Sequence, residues 1–230
     1  MFELYIANKN YSSWSLRPWV LMKELRIPFT EHLVPFKESD NWELFRKFSP
    51  SGKVPCLKTP QTTVWDSLAI IEFLAEHTNT VWPTDQLARA RARSASAEMH
   101  AGFGALRQQC PMNCSVRVGM HSVSTTLQKD IERLDELWQQ GLENFSGPFL
   151  AGSQFTAADA FFCPVAFRVQ TYQIDMSAPA LAYAQQLLDL SSMREWDAAA
   201  RAEPWIEPAH DQECRDAGRI LVDYRSQLLT

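Results

Sequence analysis

The chain has 230 residues, 46% of them hydrophobic, which is enough to bury a sizeable core. Its formal net charge is −5 at pH 7, and it has no run of lysines or arginines, so its charge does not favour nucleic acid or an anionic membrane surface as a partner. It has no basic N-terminal segment followed by an apolar stretch, and no long uninterrupted apolar run, so we expect a cytoplasmic protein without a membrane span.

The cysteines are odd in number and spread along the chain, as Cys56, Cys110, Cys114, Cys163 and Cys214. Only Cys110 and Cys114 are close together, and no second pair or histidine cluster completes a zinc-binding pattern. We therefore expect reduced, mostly structural thiols and no metal site.

The first 80 residues alternate between strand and helix patterns. An apolar segment at residues 2–7 predicts a strand, the periodic segment 15–25 a helix, and the alternation at 29–33 a second strand. A short helix, two short strands and a longer helix follow, at residues 42–48, 55–59, 62–65 and 67–77. The predicted order is therefore βαβ followed by ββα.

Ser12 and Ser13 lie between the first predicted strand and the first predicted helix. Hydroxyls at this place meet unpaired backbone N–H groups and the positive end of the helix dipole, which together favour an anion such as a thiolate. A plain helix cap explains the same residues. Pro18 is compatible with the helix because, if Ser15 caps it, the proline falls in the first turn.

Two further segments in this part of the chain predict a turn before a strand and a polar helix start. Residues 53–57, Lys-Val-Pro-Cys-Leu, predict a turn that enters a strand. Asp66 and Ser67 open the helix predicted at 67–77, where capping alone would account for them.

Residues 81–85 interrupt the pattern, and the chain after them is almost wholly helical in character. We place the domain boundary here, with one domain at residues 1–80 and an all-helical domain at 87–230. A first long helix carries Met99, Phe103, Leu106 and Cys110 at helical spacing, and a second at 122–143 is predicted to pack against it. Shorter helices are predicted at 180–190, 193–202 and 212–228.

Thr156 and Asp159 have the spacing of a capping box, with aspartate in place of the usual glutamate. We assign this helix start to stability and not to ligand binding. Asp159→Ala is expected to cost roughly 1–2 kcal/mol through loss of the cap.

Glu203 and Glu207 flank Trp205 and look like a pair of catalytic carboxylates. Pro204 and Pro208, however, predict an irregular surface segment. We interpret both glutamates as solvated charges.

Ser12-Ser13, the segment 53–57 and the helix start at Asp66-Ser67 resemble, in order and spacing, the glutathione-binding domain of the cytosolic glutathione S-transferases, and among these the serine-type, zeta-like bacterial members. The resemblance implies an α/β thioredoxin-like N-terminal domain (βαβ-ββα) followed by an all-α helical C-terminal domain. It also implies a homodimer, with the helix that carries Arg89, Arg91 and Arg93 at the contact.

The resemblance further assigns binding roles. It implies a cis Val54-Pro55 step at which Val54 pairs its main chain with the cysteinyl part of glutathione, with the γ-glutamyl end held by Asp66 and Ser67. Lys53 and Lys37 are candidate partners of the glycine carboxylate.

For the sulfur, the resemblance places Ser12 as the hydroxyl that stabilises the thiolate, with Ser13 and Tyr11 as alternatives. The serine would donate a hydrogen bond and not attack, so no Ser-His-Asp triad is needed.

The implied activity is conjugation of the glutathione thiolate to small electrophiles, with glutathione as co-substrate. The alternatives are a glutathione-dependent isomerase or peroxidase, or a non-catalytic interaction module with the same fold. Candidate residues for an electrophile pocket between the domains are Met99, Phe103, Cys110, Met112 and Cys114.

Overall fold

The computed structural model describes residues 1–37 and 40–225. The first part of the chain forms a four-stranded sheet with helices, in the order β1 (Phe2–Ile6), α1 (Ser13–Glu24), β2 (Phe29–Leu33), α2 (Trp42–Arg46), β3 (Cys56–Lys58), β4 (Thr63–Trp65) and α3 (Ser67–Ala75). The spatial strand order is β2-β1-β3-β4, with β1 parallel to β2 and the other neighbours antiparallel. The predicted βαβ-ββα order is confirmed.

The core of this part follows from the alternation of the strands. Leu4 and Ile6 are fully buried on β1, and Leu57 pairs opposite Leu4 on β3. Helices α1 and α3 pack against each other and, through their apolar faces, cover the sheet.

The rest of the described chain is mainly helical. Its elements are α4 (Gln86–Ala101), α5 (Gly104–Gln109), β5 (Val116–Met120), α6 (Thr125–Asn144), α7 (Ala157–Tyr172), α8 (Ala178–Asp189), α9 (Ser191–Ala202), α10 (Pro208–Ala217) and β6 (Gly218–Asp223). Helix α7 is buried along almost its whole length and contacts α1, α4 and α8. It therefore joins the two parts of the molecule. No helix in residues 1–37 and 40–225 is both long and apolar enough to cross a bilayer.

The first long helix of this part is shorter than predicted. Helix α4 ends before Gly102, and Phe103 has a left-handed backbone with φ +56° before α5 begins. A Cβ at position 102 would lie 2.8 Å from the carbonyl oxygen of Glu98, so glycine permits the tight turn. The periodicity of Met99, Phe103 and Leu106 thus runs across a break.

The C-terminal end also departs from an all-helical domain. The helix predicted at 212–228 ends at Ala217, and β6 then pairs antiparallel with β5; residues 226–228 of that prediction lie outside the described residues. A Cβ on Gly218 would lie 2.2 Å from the carbonyl oxygen of Gly119, so glycine allows the two strands to meet. The apolar run of β6 forms a strand because β5, about 100 residues earlier, offers it a partner.

The capping box at the start of α7 is confirmed. Asp159 Oδ2 accepts hydrogen bonds from the Thr156 backbone N (2.9 Å) and from Thr156 Oγ1 (3.1 Å). Asp159 Oδ1 accepts two more, from Leu150 N (3.0 Å) and the Tyr183 hydroxyl (2.8 Å). The carboxylate therefore fastens three segments of the chain and not only the helix start.

Candidate functional site

The loop between β1 and α1 carries Ser12 to the wall of a cavity of about 590 Å³. Ser12 is 6% exposed, and its Oγ lies 2.7 Å from the Oγ of the buried Ser15. Ser13, the first residue of α1, also lines the cavity and is more exposed. Both serines thus lie at the helix start, as predicted, and both border the same cavity.

The cavity lies between the two parts of the molecule. The sheet part contributes Ser12, Ser13, Lys53 and Val54 among others, and the helical part contributes Arg107, Pro111, Met112, Arg168 and His210. The Val54-Pro55 peptide is cis, as the resemblance implied. Val54 and Lys53 therefore border the cavity immediately before β3.

Lys37 is not among the described residues that border this cavity. Its backbone N donates to Asn41 Oδ1 (2.7 Å), and the residue itself is exposed. The structure therefore places Lys53, and not Lys37, beside the serines.

Asp66 and Ser67 open α3 outside the cavity lining. Asp66 has φ +74° and caps the helix by accepting from Leu68 N (2.8 Å), and its other oxygen lies 3.5 Å from His100 Nε2. The hydroxyl of Ser67, which is 1% exposed, accepts a long hydrogen bond from Arg17 Nη1 (3.4 Å).

Trp14, on α1, lies between the cavity and the side chains that contact the start of α3. Its ring borders the cavity, packs against the Arg17 guanidinium at 4.2 Å and meets the His100 ring at 5.2 Å. Arg17 and His100 are the same side chains that contact Ser67 and Asp66. The sequence analysis assigned no role to either of them.

The Tyr11 hydroxyl is hydrogen-bonded to residues in the C-terminal part of the chain. Its hydroxyl donates to Asp211 Oδ1 (3.0 Å) and accepts from Arg225 Nη1 (3.0 Å). Burial, together with the charge of Asp211, raises the pKa of Tyr11 to about 12. Its proton is therefore directed at Asp211 and not at the cavity.

The interpretation of Glu203 and Glu207 as solvated charges is wrong. Glu203 accepts from the backbone N of Lys9 (2.6 Å) and of Asn10 (3.3 Å), in the loop that leads to Ser12. Burial raises the pKa of Glu203 to about 7, against the effect of these two hydrogen bonds. Glu207 caps α10 by accepting from His210 N (2.7 Å).

Other side chains and main-chain groups from the helical part hold the same loop. Trp196 Nε1 donates to the Lys9 carbonyl oxygen (2.8 Å), Cys114 N to the Asn10 carbonyl oxygen (3.2 Å), and Ser115 Oγ to Asn10 Oδ1 (2.9 Å). These partners are about 100 to 190 residues away in sequence. No local pattern could have identified them.

Of the residues predicted to line an electrophile pocket, Met112 borders the cavity, whereas the others are core residues. All five cysteines are buried and unpaired. Burial raises the pKa of the Cys110 thiol to about 12 and raises that of Cys114 as well. In the described part of the chain, no group of three or more potential ligand side chains is placed to hold a metal ion.

Comparison with known proteins agrees with this architecture. Residues 11–77 match the family model described as glutathione S-transferase, N-terminal domain. A glutathione transferase homologue from Burkholderia, solved with bound glutathione, superposes with a TM-score of 0.67 at 21% identity, over 88% of this chain and 99% of that one. Glutathione transferase Omega 3C from Trametes versicolor superposes with a TM-score of 0.66 at 19% identity, over 85% and 88% of the two chains.

Curated relatives are similar at low identity. The maleylacetoacetate isomerase of Rattus norvegicus is 26% identical over 76% of this chain and 81% of its own length. Glutathione S-transferase DHAR2 of Arabidopsis thaliana is 25% identical over 68% of this chain and 66% of its own.

A thioredoxin-like sheet domain followed by a helical region, with a cavity between them, defines the glutathione transferase fold. Residues 11–77 match the model of the glutathione S-transferase N-terminal domain, and the solved transferases share the fold. The resemblance stated from the sequence is therefore confirmed.

Proposed function

We propose that this protein is a glutathione-dependent enzyme that conjugates the glutathione thiolate to small electrophiles. The observation that carries the proposal is the position of the Ser12 hydroxyl, at the start of α1 and on the wall of the cavity between the two parts of the molecule. The structural relatives solved with bound glutathione support glutathione as the co-substrate.

Ser12 acts by lowering the free energy of the thiolate. A free thiol has a pKa near 8.5, and a hydroxyl donor together with a helix N-terminus favours its anion. In this structure the Ser12 hydroxyl donates to Ser15 Oγ (2.7 Å), so when glutathione binds, the Ser12 hydroxyl rotates and turns its proton from Ser15 to the sulfur. Ser13 is the alternative donor, and Tyr11 is disfavoured because its proton goes to Asp211.

The remaining assignments follow the charges of glutathione. Val54 and Pro55 offer the main-chain edge for the cysteinyl part, and Lys53 a cation for the glycine carboxylate, with Lys37 further away. Ser67, with Arg17 beneath it, offers donors to the γ-glutamyl carboxylate, and Asp66 an acceptor for the ammonium.

A glutathione-dependent isomerase is the second candidate, because the curated relatives include maleylacetoacetate isomerases. Such a reaction would use the same thiolate and differ only in the partner that the cavity accepts. The homodimer and the cytoplasmic location remain proposals. The side chains of Arg89, Arg91 and Arg93 form hydrogen bonds within their own chain. They therefore give no specific support to a contact with a second subunit.

The proposal is tested by the melting temperature of the protein with and without reduced glutathione. At 100 times Kd, binding adds about 2.7 kcal/mol of stability, which for a chain of this size corresponds to a rise of roughly 5–10 °C. Ser67→Ala should abolish most of the rise, whereas the matched exposed variant Ser153→Ala should keep it. No rise in the wild type would contradict glutathione binding and favour the non-catalytic interaction module.

A further inference from the structure

Three arginine side chains lie near one another beside the cavity. Arg17 comes from α1, Arg107 from α5 and Arg168 from α7, and in the described part of the chain none of them forms an ion pair. Burial, and to a lesser extent the repulsion among the three arginines, lowers the pKa of Arg17 and of Arg168. Arg17 and Arg168 are buried and Arg107 is half-buried, and the nearest carboxylates, Asp66 for Arg17 and Asp130 for Arg107, lie beyond ion-pair distance. Because buried charges are normally paired, the arrangement favours anions from outside the chain.

Arg17 is accounted for by the proposed glutathione site. It is 2% exposed, stacks between the rings of Trp14 (4.2 Å) and Phe161 (4.8 Å), and donates to the Ser67 hydroxyl. A γ-glutamyl carboxylate at Ser67 would neutralise it. Arg107 and Arg168 are not explained in this way, because they border the cavity itself.

Two hydrogen bonds to backbone carbonyls hold the Arg168 guanidinium and leave one of its nitrogens without a protein partner. Its Nε donates to the Cys110 carbonyl oxygen (2.8 Å) and its Nη1 to that of Pro164 (3.2 Å). The side chain is 6% exposed and borders the cavity, and within the described residues Nη2 has no hydrogen-bond partner. This nitrogen is therefore the donor that Arg168 can offer to a ligand in the cavity.

Arg107 is held in a similar way. Its Nε donates to the Gly102 carbonyl oxygen (3.0 Å) and its Nη2 to that of His100 (3.1 Å), and it also donates to Met99. The guanidinium packs on the Trp14 ring at 4.7 Å, and Nη1 finds no partner among the described residues. Backbone carbonyls thus orient both arginines without neutralising them.

The acidic side chains of the cavity do not pair with these two arginines. Asp40 precedes α2 on the sheet side and accepts from Trp42 N (2.9 Å), and Glu213 lies on α10. Neither is within 4.0 Å of a guanidinium nitrogen of Arg107 or Arg168, since no such ion pair occurs in the described residues.

We propose that Arg107 and Arg168 form a subsite for a carboxylate carried by the electrophile, so that the preferred second substrates are anionic. This inference rests on the proposed function, because it assigns the cavity beside Ser12 to the electrophile. We assign a carboxylate because each guanidinium has one nitrogen without a partner among the described residues, and guanidinium groups match the two oxygens of a carboxylate better than a point anion.

The test compares two aromatic electrophiles, 4-chloro-3-nitrobenzoate and its methyl ester. In both, the glutathione thiolate forms a C–S bond to the carbon that bears chlorine, and chloride leaves with the electron pair of the C–Cl bond. Arg107→Gln and Arg168→Gln should lower kcat/KM for the acid by roughly tenfold to hundredfold, with little change for the ester. Arg168→Lys should lose less, and the control Arg194→Gln, an exposed arginine paired with Asp189, should change neither substrate.

Two results would overturn the inference. One is an equal loss of kcat/KM for the acid and the ester; the other is an effect confined to a raised KM for glutathione, which would mean that the arginines bind glutathione instead. Calorimetric binding of 4-nitrobenzoate and 4-nitrobenzamide to the wild type requires neither turnover nor a variant. Tighter binding of the benzoate supports the subsite even if neither electrophile reacts, and equal binding contradicts it. Failure of the proposed function would appear separately, as absence of glutathione binding.

Discussion

The starts of α1 and α7 look alike in sequence, each with a hydroxyl residue before an apolar helix, but the structure uses them differently. At α7, Asp159 accepts four hydrogen bonds and is completely buried. At α1, Ser12 makes no side-chain cap, the first turn has no acidic residue, and the hydroxyl borders a cavity.

The difference shows how a helix start becomes available for chemistry. A cap that satisfies every nearby polar group stabilises the fold and leaves nothing for a ligand. At α1 the backbone N–H groups of Trp14 and Ser15 have no hydrogen-bond partner within the described residues, so the positive end of the helix is free to face an anion. The loop before it is instead held by Glu203, Trp196 and Ser115 from the helical part.

The largest effect is expected for Asp159→Ala. It would leave the Tyr183 hydroxyl and the backbone N of Leu150 and Thr156 unsatisfied, so the loss of stability should be about 3–5 kcal/mol, more than the loss of a cap alone. Chemical denaturation measures it, with the exposed Asp175→Ala as control. A loss below about 1 kcal/mol, or a changed glutathione Kd in the folded variant, would remove the distinction between the two helix starts.

Ser12→Ala should show the opposite profile. Turnover should fall by roughly tenfold to hundredfold, because a hydrogen bond to a charged group is worth about 1.5–3 kcal/mol, whereas the glutathione Kd and the melting temperature should change little. Steady-state kinetics with the same electrophile measure the first quantity. A stability loss as large as that of Asp159→Ala would mean that Ser12 is a structural cap.

Glu203→Gln tests whether Glu203 anchors the loop before Ser12, because the effect of this substitution on stability should depend on pH. The folded pKa of Glu203 is raised to about 7 from an ordinary value near 4.5, so the wild type should lose stability relative to the variant as the pH rises from about 4.5 to 7 and stay level above that. With allowance for partial exposure, the change should be at most about 1–2 kcal/mol.

Melting temperatures of the two proteins across this range provide the measurement, with the exposed Glu143→Gln as control. A difference between wild type and Glu203→Gln that is the same at every pH would show that Glu203 is not buried as a carboxylate against the loop.

Ser13→Ala should have the smallest effect, a change in turnover of less than about twofold, because we assign the sulfur contact to Ser12. The same kinetic assay measures it. If Ser13→Ala were the variant that lost activity and Ser12→Ala were not, the roles of the two serines would be reversed.

The sheet part could be predicted from the sequence because its signals are local. The alternation of Leu4 and Ile6 and the polar helix start at Asp66 each lie within a few residues, and both are observed. The capping box at Thr156, in the helical part, is an equally local signal and is also observed. The break at Gly102 was missed because helical periodicity continues across it.

The supports of the site could not be predicted, because they come from distant parts of the chain. Glu203 looks like a surface charge between prolines, and only the fold brings it to Lys9. In the same way, β6 forms because it can pair with β5. This pairing brings Arg225 within hydrogen-bond distance of the Tyr11 hydroxyl, which no pattern near residue 225 indicates. Arg107 and Arg168 become neighbours only when α5 and α7 pack around the cavity.

The most direct test is the pKa of the glutathione thiol when it is bound, followed by the ultraviolet absorbance of the thiolate during a pH titration of the wild type and of Ser12→Ala. The account predicts a bound pKa below that of free glutathione in the wild type, and a rise of about one to two pKa units in Ser12→Ala. An unshifted thiol in the wild type, or the same lowered pKa in both proteins, would contradict the role of Ser12.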